Sequence, residues 1–307
     1  MKTRRLGTDG PELSLIGLGC NNFGMKLDAG ASAAVVSAAL DAGVTHLDTA
    51  EGYGPSEEYI GAALGARRDE AVIATKFSPR PADEPYAPGA LRARIFEACE
   101  QSLRRLRTDR IDLYYQHRPD PQAPVQEALE ALDELVRQGK VLHVASSNVS
   151  AGQVEEAAAV AAQRSLTRFC GTQIEWSLLA RDVERDVVPA ARACDVGIVP
   201  YFPLASGMLT GKYRRGEAYP GGSRFAVIGA LAGRYASDEN FALVDAFTAF
   251  AAGRGHTVGE LAIAWLTAQA GVTSVIAGAT SPGQVSANAA AAAWDLSDDD
   301  LKSLPAR

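Results

Sequence analysis

Cysteine, histidine and surplus positive charge are all scarce in this 307-residue chain. The four cysteines, Cys20, Cys99, Cys170 and Cys194, stand far apart with no CxxC pair. That spacing argues against a disulfide framework and reads as the reduced thiols of a cytoplasmic protein. The four histidines, His46, His117, His143 and His256, show no metal-ligand spacing, so no metal is expected. Lys and Arg number 30 against 37 Asp and Glu, a net charge of −7. Nucleic-acid binding needs clustered cations on phosphate and is not expected, whereas an anionic small molecule needs only a local positive site. No apolar run reaches the roughly 18 residues of a membrane span, so no membrane partner is expected. The start, MKTRRLGTDGPEL, carries charge but no apolar stretch behind it, unlike a signal peptide. Sequence repeats and low-complexity linkers are missing too.

What is present is alternation. Apolar residues make up 47% of the chain, enough for a sizeable core. Eight short β-type runs recur: LIGLGC, THLDTA, AVIATKF, IDLYYQH, LHVASSN, GTQIEW, GIVPYFPL and TSVIAGA. Most are continuously apolar, as strands covered on both faces are. Helical patterns fall at 31–43, 55–66, 88–106, 121–139, 150–163, 182–195, 256–270 and 282–293. In LRARIFEACEQSLRRL, for example, apolar residues return every three or four positions. Eight strand–helix units predict a single (β/α)₈ barrel over 1–307. A doubly wound sheet is the weaker reading, because GLGCNNFG does not fit GxGxxG and no helix opens on it. One long connection, 207–255, reads as a surface loop rich in Gly, Arg and Tyr.

In such barrels chemistry sits at the C-terminal ends of the strands. Asp48, Lys76, His117, Ser147 with Asn148, Gln173 and Tyr201 all fall at the ends of successive strand candidates, and the eighth ends in a GATS turn. Each alone has an ordinary explanation. Asp48 is a cap, Lys76 a solvated strand end, His117 a satisfied core histidine, Tyr53 between two glycines a surface aromatic. Their convergence on one rim, at three neighbouring strands, favours a reaction site. Glu51 reads as a turn residue, and His46, His143 and His256 as structural.

The chain resembles the aldo-keto reductases over nearly its whole length. The resemblance is carried by GLGCNNFG (17–24), DTAEGYG (48–54), IATKF (73–77), YYQH (114–117), SSN (146–148), TQIEWSLL (172–179), PYFPLASGMLTGKY (200–213) and GATSPGQVSAN (278–288). It is more similar to the bacterial branch near the potassium-channel β-subunits than to the aldose-reductase branch. The resemblance implies reversible hydride transfer between a nicotinamide cofactor and a small carbonyl compound. It implies Tyr53 as general acid, with Lys76, Asp48 and His117 completing a tetrad. Ser147, Asn148 and Gln173 match residues that hold the carboxamide, and Tyr201 matches the ring against the nicotinamide. Cys20, Asn21, Phe202, Pro203, Leu204, Ala205, Ser206, Gly207 and Lys212 fall with the cofactor-binding loops. Gly278, Thr280, Gln284 and Asn288 match the adenosine end, joined by Arg224 from the long loop. The physics agrees: a phenol is protonated at neutral pH and can donate to a developing alkoxide, and an ammonium beside it favours the phenolate.

There are departures. The segment 276–288 offers no cation to a 2′-phosphate, and Ala287 stands where a carboxylate often meets the adenine. A long C-terminal tail over the substrate is not expected, so specificity falls to Phe23, Tyr86, Trp176 and the 213–240 loop. The expected cofactor is NADP, with Arg224 supplying the missing cation; NAD is the alternative, in a sugar or alcohol dehydrogenase. A cofactor-binding regulatory subunit is a further reading. His117, where the channel-binding branch carries Asn, and the short segment before the barrel favour the enzyme. The oligomeric state is left open.

Overall fold

Runs such as VIATKF and IDLYYQ are apolar at nearly every position, so both faces of each strand must be covered. A closed barrel wrapped in helices does this. The computed structural model describes residues 1–305. Strands β1 (Thr3–Arg5) and β2 (Glu12–Ser14) form an antiparallel hairpin. Strands β3 (Ile16–Gly19), β4 (His46–Asp48), β5 (Val72–Phe77), β6 (Ile111–Gln116), β7 (Val141–Ser147), β8 (Gly171–Glu175), β9 (Gly197–Tyr201) and β10 (Val275–Gly278) pair in parallel, in sequence order, with β10 closing on β3 and β9. The helices α1 (Ala29–Asp41), α2 (Ser56–Leu64), α3 (Ala90–Leu106), α4 (Val125–Arg137), α5 (Ala151–Arg164) and α6 (Val187–Ala193) follow β3 to β8 in turn. After β9 come α7 (Arg224–Val227), α8 (Gly229–Tyr235), α9 (Asp238–Ala252) and α10 (Val258–Thr267), and after β10 come α11 (Pro282–Ala291) and α12 (Asp298–Ser303). The expected (β/α)₈ barrel is the fold.

Two layers of core follow from the two-residue period of each strand. In β6, Tyr114 packs with the surrounding helices, while Leu113 and Tyr115 on either side of it join a second cluster with Ala74, Ala145, Val199 and Ile276. Leu6 and Leu13 of the β1–β2 segment belong to that second cluster, both without exposed surface, and so close the bottom of the barrel. The plug needs glycine around it. A Cβ on Gly171 or Gly197 would lie 2.7 Å from a Leu6 methyl carbon. The hairpin has no counterpart among the eight expected strands, because TRR and ELS are too short and too polar to read as strands.

The 207–255 connection is not a loop throughout, which corrects the sequence reading. Three helices lie within it. Ser237 caps α9 with its side chain, Asp238 and Glu239 fill its first turn, and Phe241, Leu243, Val244 and Phe247 are buried. Local signals for α9 were therefore present. The Gly- and Arg-rich stretch 211–223 lacks helix, and aromatic stacking holds its end. Phe225 lies face to face with Tyr213 at 4.0 Å, and Tyr219 meets both edge-on.

His46 stands inside the barrel two residues before Asp48. It is fully buried, with Nδ1 2.9 Å from Ser274 Oγ and no partner for Nε2. Burial holds its pKa down at about 4, against a partial lift from Asp48 and a further lowering by Lys76. The ring is neutral when folded but takes a proton near pH 6.5 when unfolded. Its contribution to stability is therefore complete above pH 6.5 and is lost as the pH falls towards 4. We expect on the order of 3 kcal/mol of stability to disappear over that window through this one ring. Urea unfolding of the parent and of His46→Asn between pH 7 and 4 checks it. The variant should show a flatter pH slope, and parallel slopes would contradict the assignment.

Candidate active site

The C-terminal rim of the barrel gathers polar groups from every strand. Asp48 ends β4 and Lys76 lies one residue before the end of β5, so their side chains meet inside the rim. Lys76 is wholly buried. Its ammonium donates to Asp48 Oδ1 at 2.7 Å and to the Thr49 carbonyl at 2.7 Å. Burial alone would lower the lysine pKa, but the charge of Asp48, the proximity of Tyr53 and the hydrogen bond to Asp48 together raise it. Lys76 is thus a fixed cation at neutral pH. It lies 5.3 Å from the centre of the Tyr53 ring. The His117 ring meets the Tyr53 ring edge-on at 5.8 Å. Burial, then Lys76, pull His117 down to about 4, so at neutral pH it is an uncharged imidazole able to donate one hydrogen bond. Tyr53, His117 and Asp48 all line one cleft, with Lys76 directly behind them.

The loop that carries Tyr53 is held at both ends. Tyr53 donates its amide to the Ala50 carbonyl, and Ser56 donates to that of Tyr53. Glu51 does more than turn the chain. Its carboxylate accepts the Ser78 amide at 2.6 Å and pairs with Arg94 of α3. Thr49 Oγ1 donates to Ser56 Oγ, which donates to the Cys20 carbonyl. The phenol is therefore presented by a loop tied to β3, β5 and α3.

Beyond the tetrad the cleft runs across the barrel mouth, with a volume of about 1080 Å³. Ser147, Asn148, Gln173 and Tyr201 form its floor near Tyr53. Tyr201 donates to Asn148 Oδ1 at 2.8 Å, Asn148 Nδ2 donates to the His117 carbonyl, and Ser147 donates to the Gln173 carbonyl. Gln173 differs from expectation in one respect. Its amide donates across the barrel to Asp48 Oδ2 at 2.7 Å, so it also holds the tetrad together. Cys20, Asn21, Phe202, Pro203, Leu204, Ser206, Gly207 and Lys212 line the middle of the cleft, and Gly278, Thr280, Gln284 and Asn288 line its far wall. Thr280 donates through its amide and hydroxyl to Gln284 Oε1. Arg224 reaches across to Asn21 Oδ1 at 3.2 Å and Asn22 Oδ1 at 3.4 Å, its guanidinium over the Phe202 ring.

The residues fit an anionic dinucleotide. Lys26, Lys212 and Arg224 line the cleft, and none of them has an acidic partner among the described residues. Burial, then Arg224 and Lys212, lower the Lys26 pKa, the signature of cations crowded without a counter-charge. Beside them Ser206 Oγ is buried with no hydrogen-bond partner. A phosphate would relieve both defects. No metal-binding group of three or more His, Cys, Asp or Glu occurs among the described residues, and no described helix is long and apolar enough to cross a membrane.

Four expected contacts lie outside the cleft. Trp176 is buried against Trp265, edge-on at 5.8 Å, and its indole N–H donates to Glu184. Phe23 is 1% exposed, its ring in the apolar core. Tyr86 donates to Glu127 and lies under the Arg80 guanidinium, tying the loop after β5 to α4. Ala205 is fully buried among core residues. Aromatic residues near a rim invite a substrate reading, but the barrel wall buries these three or turns them away. The cleft is also lined by Arg118, next to His117, and by Glu175 with Arg234, none of which was singled out. Arg118 was findable as the residue after the strand end. Arg234 lies within the 213–240 stretch expected to shape specificity, and the fold of α8 is what brings it to Glu175.

The model of a family described as the aldo/keto reductase family matches residues 15–306. Relatives in Oryza sativa subsp. japonica and Arabidopsis thaliana, each described as a probable voltage-gated potassium channel subunit beta, are 36% identical over 297 and 300 residues. The alignments cover 94% of this chain and 90% of each relative.

The buried pair generates a stability test. Asp48→Asn removes the counter-charge of a lysine with no exposed surface, and leaving one buried charge unpaired costs about 3–5 kcal/mol. Urea unfolding at neutral pH should show a loss of that order. A loss below about 1 kcal/mol would mean that Lys76 is neutral or reaches water.

Proposed function

The chain belongs to the aldo/keto reductase family, and from that premise we propose that it is an NADP(H)-dependent reductase of aldehydes or ketones in which Tyr53 is the general acid. Oxidoreduction of this type, with a nicotinamide cofactor and a small carbonyl substrate, is what the family does. The observation that carries the finer reading is the arrangement of Asp48, Lys76, His117 and Tyr53 at one end of a cleft whose middle is lined by unpaired cations. When bound, the cofactor supplies the hydride. The chain supplies everything else. Tyr53 gives its proton to the carbonyl oxygen as negative charge develops there. Lys76, held charged by Asp48, favours the phenolate that remains. Neutral His117 donates a hydrogen bond to the same oxygen and sets its angle. Ser147, Asn148 and Gln173 hold the carboxamide, and Tyr201 supports the ring. Leu204, Ser206, Gly207 and Lys212 would take the phosphates.

NADP over NAD rests on Arg224, with Thr280 and Gln284 beside it on the adenosine wall. One charge-assisted contact to a 2′-phosphate contributes about 1.5–3 kcal/mol, a ten- to hundred-fold preference. A second reading, a cofactor-binding subunit with weak turnover, is favoured by the descriptions of the plant relatives. Measured turnover separates the two.

Two outcomes are expected. Tyr53→Phe keeps the ring and removes the proton, so turnover should fall roughly 10²–10⁴-fold while cofactor affinity stays close to that of the parent. Steady-state rates and fluorescence titration check this, and turnover within a few-fold of the parent would remove Tyr53 from the role. NADPH should bind ten- to hundred-fold more tightly than NADH, with Arg224→Ala narrowing the gap mainly by weakening NADPH. Equal dissociation constants in the parent would overturn the NADP preference, and tighter binding of NADH would favour the dehydrogenase alternative.

A further inference from the structure

Two separate sets of cations line the cleft. Lys26, Lys212 and Arg224 crowd one another, and the proposed reading already uses Lys212 and Arg224 for the cofactor. Arg118 and Arg234 lie at the other end, around Tyr201 and His117. An anionic cofactor accounts for the first set and leaves the second unexplained.

The members of the second set differ. Arg234 donates to Glu175 Oε2 at 2.7 Å, and Glu175 also accepts from Tyr235. That pair contributes little net charge. Of the carboxylates near Tyr53, Asp48 is committed to Lys76 and Gln173, and Glu51 to Ser78 and Arg94. Arg118, unlike Arg234, has no ion pair or hydrogen bond among the described residues. It is exposed, directly follows His117, and is close enough to act on both the His117 and Tyr201 rings. His117 is itself neutral, so it does not compete for an anion. In a protein of net charge −7, one unpaired cation beside the reacting groups is a local exception.

We propose that Arg118 is a specificity-determining residue, and that the substrates of this site are carbonyl compounds with a second, anionic group such as a carboxylate, which Arg118 binds while the carbonyl faces Tyr53. This rests on the reductase reading above. A guanidinium suits the role because its planar fork can grip a carboxylate with two parallel hydrogen bonds. The contact would be made equally before and during the reaction, so it should appear mainly in KM.

The test compares an aldehyde acid with its uncharged ester, 4-oxobutanoate against methyl 4-oxobutanoate, with NADPH. 4-Nitrobenzaldehyde serves as an uncharged control. The parent should favour the acid about tenfold or more in kcat/KM, and rising salt should erode the preference. Arg118→Gln should collapse the ratio by raising KM for the acid, and Arg118→Lys should restore part of it. Arg234→Gln should move the ratio less, because its charge is already met by Glu175. A parent that turns over the nitroaldehyde but treats acid and ester alike overturns the proposal and leaves the reductase reading standing. The same holds if Arg118→Gln changes both substrates equally. No turnover of any of the three removes the reductase reading and the proposal with it.

Discussion

The constraint on which the rest depends is one buried ion pair, Lys76 with Asp48. Removing two charges from water is costly, and only close geometry with further hydrogen bonds offsets it. The barrel supplies that geometry. Asp48 is gripped by Lys76 on one oxygen and by Gln173, from across the barrel, on the other. The lysine has the Thr49 carbonyl as a second acceptor. Those contacts fix a positive charge behind a half-buried phenol. Burial beside that charge also keeps His117 neutral.

The surroundings spend much of their polar chemistry on holding this arrangement still. Glu51, an apparent turn residue, is tied to Ser78 and Arg94 and steadies the loop bearing Tyr53. Asn148, in a left-handed conformation, links Tyr201 to His117 through its own side chain. The opposite end of the barrel is plugged by Leu6 and Leu13, and the close approach of the plug explains why Gly171 and Gly197 carry no side chain. Rigidity at the bottom and fastened loops at the top are what a site needs when its work is positioning.

The middle of the cleft is organised differently. There the charges are unmet: Lys26, Lys212 and Arg224 stand together, with the buried hydroxyl of Ser206 lacking a partner. An arrangement that is unsatisfied on its own is suited to a ligand that satisfies it. The contrast between a satisfied Lys76–Asp48 pair and an unsatisfied middle separates two parts of the cleft.

The sequence by itself determined the barrel and most of the rim. Strands covered on both faces must be apolar throughout, so their runs stand out, and the polar residues ending them mark the rim. It also determined that Asp48, Tyr53, Lys76 and His117 share that rim, since neighbouring strands carry them. Only the tertiary structure decided which aromatics face the cleft. Trp176, Phe23 and Tyr86 are of the right type in the right segments, but burial and partners such as Glu184 and Glu127 turn them elsewhere. It alone decided that Gln173 bonds Asp48, 125 positions away in the chain, and that α8 brings Arg234 to Glu175. Periodicity and spacing report on neighbours along the chain. Pairing of charges and the direction of a side chain depend on neighbours in space, and closing the barrel is what creates those.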